Sequence, residues 1–251
     1  MKLALSIRTQ YMLRTLVLTS FGIGLIGCTN YAILPTETTQ INSTFVEPME
    51  FEPNAAQANT SSESVGETMT NTPEKITSQY PGIEVFNFNA KEPTWYTVDD
   101  NVMGGVSRSS VEIRDSNTLV FYGNMSLDNN GGFSSIRSDW SNINLEGMDG
   151  ILLRVLGDGN VYRLRIRTSE TGSEIAYNAI FNTTPETWKI VYIPFDRMVP
   201  TYRGVVMNVD ALDPASISSF GFMLSDKQPG DFSLQVDWIR AVSEEEIKPM
   251  E

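Results

Sequence analysis

The chain has 251 residues and a formal net charge of −13, a balance that argues against nucleic acid as a partner, because phosphate backbones are held by clustered Lys and Arg. It contains no histidine and one cysteine, which excludes Ser-His-Asp and Cys-His catalysis, His-ligated zinc, thiolate metal clusters and an internal disulfide. No cofactor is implied, and an enzyme would be left with carboxylate, Tyr, Lys or Ser chemistry alone.

Lys2, Arg8 and Arg14 precede an apolar run over residues 16–26. The run is too short to span a bilayer comfortably, and its basic flank is that of an export signal, expected to occupy residues 1–27. It ends in Leu25-Ile26-Gly27-Cys28, which resembles a bacterial lipobox, where small residues let the peptidase approach the bond before a lipid-modified cysteine. The alternative is an ordinary signal or uncleaved anchor with an incidental cysteine. A multiply acylated Cys28 would bury enough methylene groups for stable attachment, and the expected location is the bacterial cell envelope, on the extracytoplasmic side. Residues 28–79 are then the lipidated cysteine and a linker. Thr, Ser, Asn, Glu and Pro dominate it, as in Asn59-Thr60-Ser61-Ser62-Glu63-Ser64. Too little apolar surface is present to offset ordering entropy, so a disordered tether is expected.

From residue 80 to 251 one domain is expected, about 170 residues and long enough to bury a core without staples. Its pattern switches to short runs of period two. Leu119, Phe121, Gly123, Met125 and Leu127 alternate with Val120, Tyr122, Asn124 and Ser126; Ile151, Leu153 and Val155 alternate with Leu152 and Arg154. Tyr162, Leu164 and Ile166 alternate with Arg163, Arg165 and Arg167, and similar runs cover 175–181, 188–195, 217–224 and 232–242. Turn signals separate them, among them Asn130-Gly131-Gly132, Gly157-Asp158-Gly159-Asn160 and Pro229-Gly230. Many short strands without a long amphipathic helix predict an all-β antiparallel sandwich or barrel.

Several blocks carry a resemblance. Trp95 is followed by Asp100-Asn101-Val102-Met103-Gly104-Gly105-Val106-Ser107; Phe121-Tyr122-Gly123 leads through Asn130-Gly131-Gly132-Phe133 to Arg137; Gly157-Asp158-Gly159 precedes Tyr162, and Trp188 precedes Ile193-Pro194-Phe195. In order and across essentially the whole domain, these residues resemble the complex I intermediate-associated protein 30 family. The resemblance implies a galactose-binding-like jelly-roll β-sandwich and a role in assembling membrane complexes, without chemistry of its own.

Four groups of candidate binding residues stand out. Met103, Gly104 and Gly105, with Asn130, Gly131, Gly132 and Phe133, form either a recognition rim or two tight turns that the fold needs. Asp100, beside Asp99 and near Asp128 and Asn129, offers hard oxygens, yet its simpler role is to bond backbone amides, and no metal site is assigned. Arg163, Arg165 and Arg167 lie on one face of one strand, with Arg154 expected on a neighbouring strand; the stripe either receives an acidic group or is a solvated face. Trp188 and Trp238, inside strands, are expected in the core, whereas Trp140 is the candidate for exposure. These features predict a non-catalytic, lipid-anchored assembly factor or scaffold with a protein client in a membrane complex. The alternative is a carbohydrate-binding module facing envelope glycans.

Overall fold

The computed structural model describes residues 49–50, 80–89, 93–172 and 174–248. The expected signal, Cys28 and most of the expected tether lie outside the described residues. In chain order the strands are β1 (Met49–Glu50), β2 (Ile83–Phe86), β3 (Trp95–Asp99), β4 (Arg108–Arg114), β5 (Thr118–Met125), β6 (Ser134–Ser138) and β7 (Gly150–Leu156). There follow β8 (Val161–Thr168), β9 (Ala176–Asn182), β10 (Trp188–Pro194), β11 (Val199–Tyr202), β12 (Val205–Val206), β13 (Ile217–Leu224) and β14 (Gly230–Val242), then a single helical turn, α1 (Glu244–Ile247).

The strands build two separate antiparallel sheets, so the architecture is a sandwich and not a closed barrel. The first runs β1-β10-β7-β14-β5-β4, with β2 also paired to β14; the second runs β12-β11-β9-β8-β13-β6-β3. Backbone pairing of β1 with β10, Met49 opposite Tyr192, brings into the first sheet a piece of the stretch expected to be tether. Consecutive strands β7 and β8 belong to different sheets. The Gly157-Asp158-Gly159 turn between them is therefore a crossover, and its chemistry locks the two layers. Asp158 accepts from Tyr162 Oη at 3.0 Å and from the Ser233 amide at 2.7 Å, one residue on each sheet.

Alternation explains the core. Leu119 and Phe121 of β5, Leu153 and Val155 of β7, and Leu234 and Val236 of β14 face Tyr162, Leu164 and Ile166 of β8 and Phe220 and Phe222 of β13. Each such side chain contributes about 1.5–3 kcal/mol by leaving water. Aromatic edges close the interior: Phe86 meets Phe220 at 5.4 Å and 77°, and Phe181 meets Phe222 at 6.3 Å and 84°. A register shift in β14 between Val236 and Trp238 turns Trp238 to the outer side of the first sheet. There it is buried in a second cluster with Leu152, Ile190, Tyr192, Val242 and Ile247, under the ring of Tyr80 at 4.9 Å. Ile247 is the reason a helical turn follows β14: it carries an apolar cap over that cluster, and Ser243 and Glu246 close the turn by a capping box.

Trp188 departs from the core expectation. It is 37% exposed, because it begins β10 on the outward face, and Arg154 lies over its indole at 4.4 Å.

Candidate functional site

Where β3 and β4, the outer strands of the two sheets, come together, two adjacent aspartates do different work. Asp99 accepts from the Ser109 amide at 2.9 Å and from Ser109 Oγ at 2.5 Å, stapling β3 to β4. Asp100 opens a short 3-10 turn and is almost fully buried. Its carboxylate accepts from the Ser107 amide at 2.9 Å, Ser107 Oγ at 2.6 Å and the Gly132 amide at 2.7 Å, with the Phe133 amide at 3.4 Å. Burial by itself would raise the Asp100 pKa. The Ser107 hydroxyl and the Gly132, Ser107 and Phe133 amides outweigh it and hold the group below its ordinary value of 3.8.

Both glycine pairs are built around this carboxylate. A Cβ on Gly105 would sit 2.3 Å from Asp100 Cγ, and one on Gly131 would sit 2.5 Å from Oδ2. Close approach, and at Gly104 a φ of 92°, are what the glycines supply. The loops holding Met103-Gly104-Gly105 and Asn130-Gly131-Gly132-Phe133 are thus one clamped unit, further tied by Lys227 Nζ donating to the Gly131 carbonyl at 3.1 Å. With its oxygens receiving N–H and O–H donors, Asp100 is no cation ligand. Among the described residues no group of three or more acidic side chains is placed to hold a metal.

What the clamp presents outward is apolar. Val102 and Met103 are 69% and 68% exposed, and Val106 and Leu127 are also open to solvent. Met103 was singled out from the sequence; Val102, Val106 and Leu127 were not. For Val102 and Val106 the signal is large apolar residues beside Gly and Asn in a turn, where no period-two run accounts for them, whereas Leu127 ends the alternating run that begins at Leu119.

The arginines fall into two environments. Arg154 lies on β7 in the first sheet, not on a strand beside β8, and it is satisfied locally: Nη1 meets Asp237 Oδ2 at 2.6 Å. Arg163, Arg165 and Arg167 share the outer face of the second sheet, opposite buried Tyr162, Leu164 and Ile166. Arg163 Nε donates to Ser225 Oγ and Arg165 Nε to Asn178 Oδ1, each at 3.0 Å. Arg137 of β6 joins them and lies over the Tyr96 ring at 5.5 Å. Burial, then the Arg137 and Arg163 charges, push the Arg165 pKa down to about 10. Burial, then Arg165 and Arg137, push Arg167 to about 9, against an opposing effect of Tyr96. Arg167 is 4% exposed and is not free. Trp140 is 48% exposed in the loop after β6, while Trp95 is buried.

The family model for complex I intermediate-associated protein 30 matches residues 85–236, which run from within β2 to the middle of β14 and include the clamp. The mitochondrial complex I intermediate-associated protein 30 of Mus musculus is 28% identical over 183 residues, covering 62% of this chain and 54% of the relative. An uncharacterised protein of Schizosaccharomyces pombe is 32% identical over 178 residues, covering 61% of this chain and 80% of the relative. The chain therefore spans about half the length of the mouse protein that it matches. Among solved structures, the family 11 carbohydrate-binding module of a Clostridium thermocellum cellulase superposes with a TM-score of 0.49 at 14% identity, over 65% of this chain and 95% of that one. A family 30 module from the same organism gives 0.45 at 14% identity, over 64% and 98%.

Proposed function

The chain belongs to the complex I intermediate-associated protein 30 family, and from that premise we propose that it is a non-catalytic, lipid-anchored binding protein that helps assemble a membrane protein complex. The observation that carries the reading is the exposed apolar tip, Val102, Met103, Val106 and Leu127, held on loops that one buried carboxylate makes rigid. Apolar side chains on a pre-organised loop lose little entropy on docking and gain by leaving water, which suits a protein surface. Met103 adds an unbranched thioether that adapts to irregular partner surfaces. Names of relatives in the family refer to intermediates of complex I, and an intermediate of a membrane complex is the class of client proposed here. The anchor is Cys28, and the proposed location is the extracytoplasmic side of a bacterial envelope membrane.

The test is crosslinking and pull-down of the full chain from native membranes, comparing wild type with Val102→Asp plus Met103→Asp. Both side chains are exposed, so the melting temperature is expected to stay within a few degrees. Recovery of a specific membrane-protein partner should fall at least tenfold, the effect of about 1.4 kcal/mol at an interface anchor. Unchanged recovery at unchanged stability overturns the rim as the docking surface. Retention on envelope glycans that depends on Trp140 would instead favour carbohydrate binding.

A further inference from the structure

The outer face of the second sheet carries a feature that the apolar rim leaves unused. In cross-strand register, Arg137 of β6, Gly221 of β13, Arg165 of β8 and Asn178 of β9 form one row. Gly221 puts no side chain between two arginines whose Cα atoms, two strand spacings apart, are separated by roughly 10 Å, and the neighbouring strand lies close there, with the Ile136 carbonyl oxygen 2.5 Å from where a Cβ would sit. Arg163 lies on the same face about 7 Å along the strand from Arg165. Its row is completed by Met223 and Ser135, both uncharged.

Among the described residues, no carboxylate lies within 4.0 Å of Arg137, Arg163 or Arg165. Elsewhere Arg114, Arg154, Arg197 and Arg240 each have one. Arg163 and Arg165 bond neutral oxygens through Nε, and among the described residues their terminal amino groups have no protein acceptor. None of these atoms is sealed away from solvent. We propose that this row is a binding site for a multivalent oxyanion, a phosphate or a polycarboxylate, seated over Gly221 between Arg137 and Arg165 with Arg163 at its side.

Three half-buried cations without a counter-charge repel one another and have lost part of their hydration. In a chain of net charge −13, acidic partners are abundant, yet none is placed here. A bound oxyanion relieves both penalties, and the planar guanidinium forks match its paired oxygens. Uncharged sugars are recognised by open aromatic platforms, whereas the ring of this row, Tyr96, already lies beneath Arg137. The direct occupant is therefore an anion, and the apolar rim takes no part in holding it.

The experiment titrates the full chain with inorganic phosphate and, separately, with citrate, each against sodium chloride of equal ionic strength. Melting temperature and calorimetric binding are the readouts. The expected result is a saturable rise in melting temperature with at least one oxyanion and none with chloride, and the effective arm assigns phosphate or carboxylate. R137Q and R165Q should each weaken binding about tenfold or more, the loss of one charge-assisted contact, while R114Q, altered at an exposed arginine on β4, binds as wild type. Should R165Q fail to fold, R165K, which keeps the charge and loses the fork, is read in its place and must also bind more weakly. No response beyond that of chloride, or equal affinity in wild type, R137Q and the Arg165 variant, overturns the site. Val102→Asp plus Met103→Asp should leave anion affinity unchanged, so failure of the anion site and failure of the docking rim are read separately.

Discussion

Asp100 shows how one side chain can hold a surface in place without belonging to it. Its oxygens receive two hydroxyl or amide donors from Ser107 and two amides from the opposite loop. Asp100→Asn keeps the shape but turns one oxygen into a donor that faces other donors. The expected loss is about 3 kcal/mol of stability, since buried donors left without acceptors cost about 1–3 kcal/mol each. Chemical denaturation of variant and wild type at neutral pH measures it. The sign of the pH dependence follows from the lowered pKa. The contribution is fully present above the unfolded value of 3.8 and is lost as pH falls through the lower folded value. Acid titration of stability should accordingly show a steeper fall below pH 3.8 in wild type than in the variant. Arg154 gives the opposite lesson. Its partner Asp237 and its cover Trp188 use it up, so a residue that reads as part of a basic stripe is an internal tie of the first sheet.

At the scale of elements, the clamp makes a loop and its neighbour one unit, and this can be separated from what the loop displays. Gly131→Ala places a methyl group 2.5 Å from Asp100 Oδ2. Melting temperature and client recovery are expected to fall together in this variant, whereas the Val102 and Met103 changes should lower recovery alone. A Gly131→Ala protein with wild-type stability would contradict the packing described. The strands that were legible in the sequence are those whose alternation marks the core: β5, β7, β8, β9, β10, β13 and β14. Strands β4 and β6 were not. In β6, Ser134-Ser135-Ile136-Arg137-Ser138, only Ile136 is a large apolar residue, and the polar remainder is stabilised by bonds that no periodicity records. Ser135 Oγ donates to the Val98 carbonyl at 2.7 Å, and Ser138 Oγ accepts from the Phe220 amide at 3.2 Å. The Arg163–Arg167 stripe was legible as one face of one strand. Its completion by Arg137, Gly221 and Asn178 depends on inter-strand register across four crossovers between the sheets, which a linear pattern does not contain. The rim was legible through its glycines and Met103, but not through Val102, Val106 and Leu127.

At the scale of the whole molecule, the proposed anchor has a direct test. Cys28→Ser is expected to move the protein from the membrane fraction to a soluble or unprocessed form, read by fractionation and gel mobility; unchanged size and distribution would refute lipidation at Cys28. The proposal that the chain reaches the envelope also gives meaning to the place of β14 in the first sheet. This 13-residue strand pairs with β7, β5 and β2, and it is the last strand among the described residues. Its partners all lie far earlier in the sequence, so loop-closure entropy must be overcome before any of those pairings forms. Until residues 230–242 have been synthesised, the first sheet is split into a β1-β10-β7 group, a β5-β4 pair and a β2 without its β14 neighbour, and Trp238 is missing from the outer cluster. The order of synthesis therefore delays closure of the first sheet. Under the proposed export, a first sheet that cannot close before residues 230–242 are made leaves the nascent chain incompletely folded, and an incompletely folded polypeptide is what a threading translocation channel accepts.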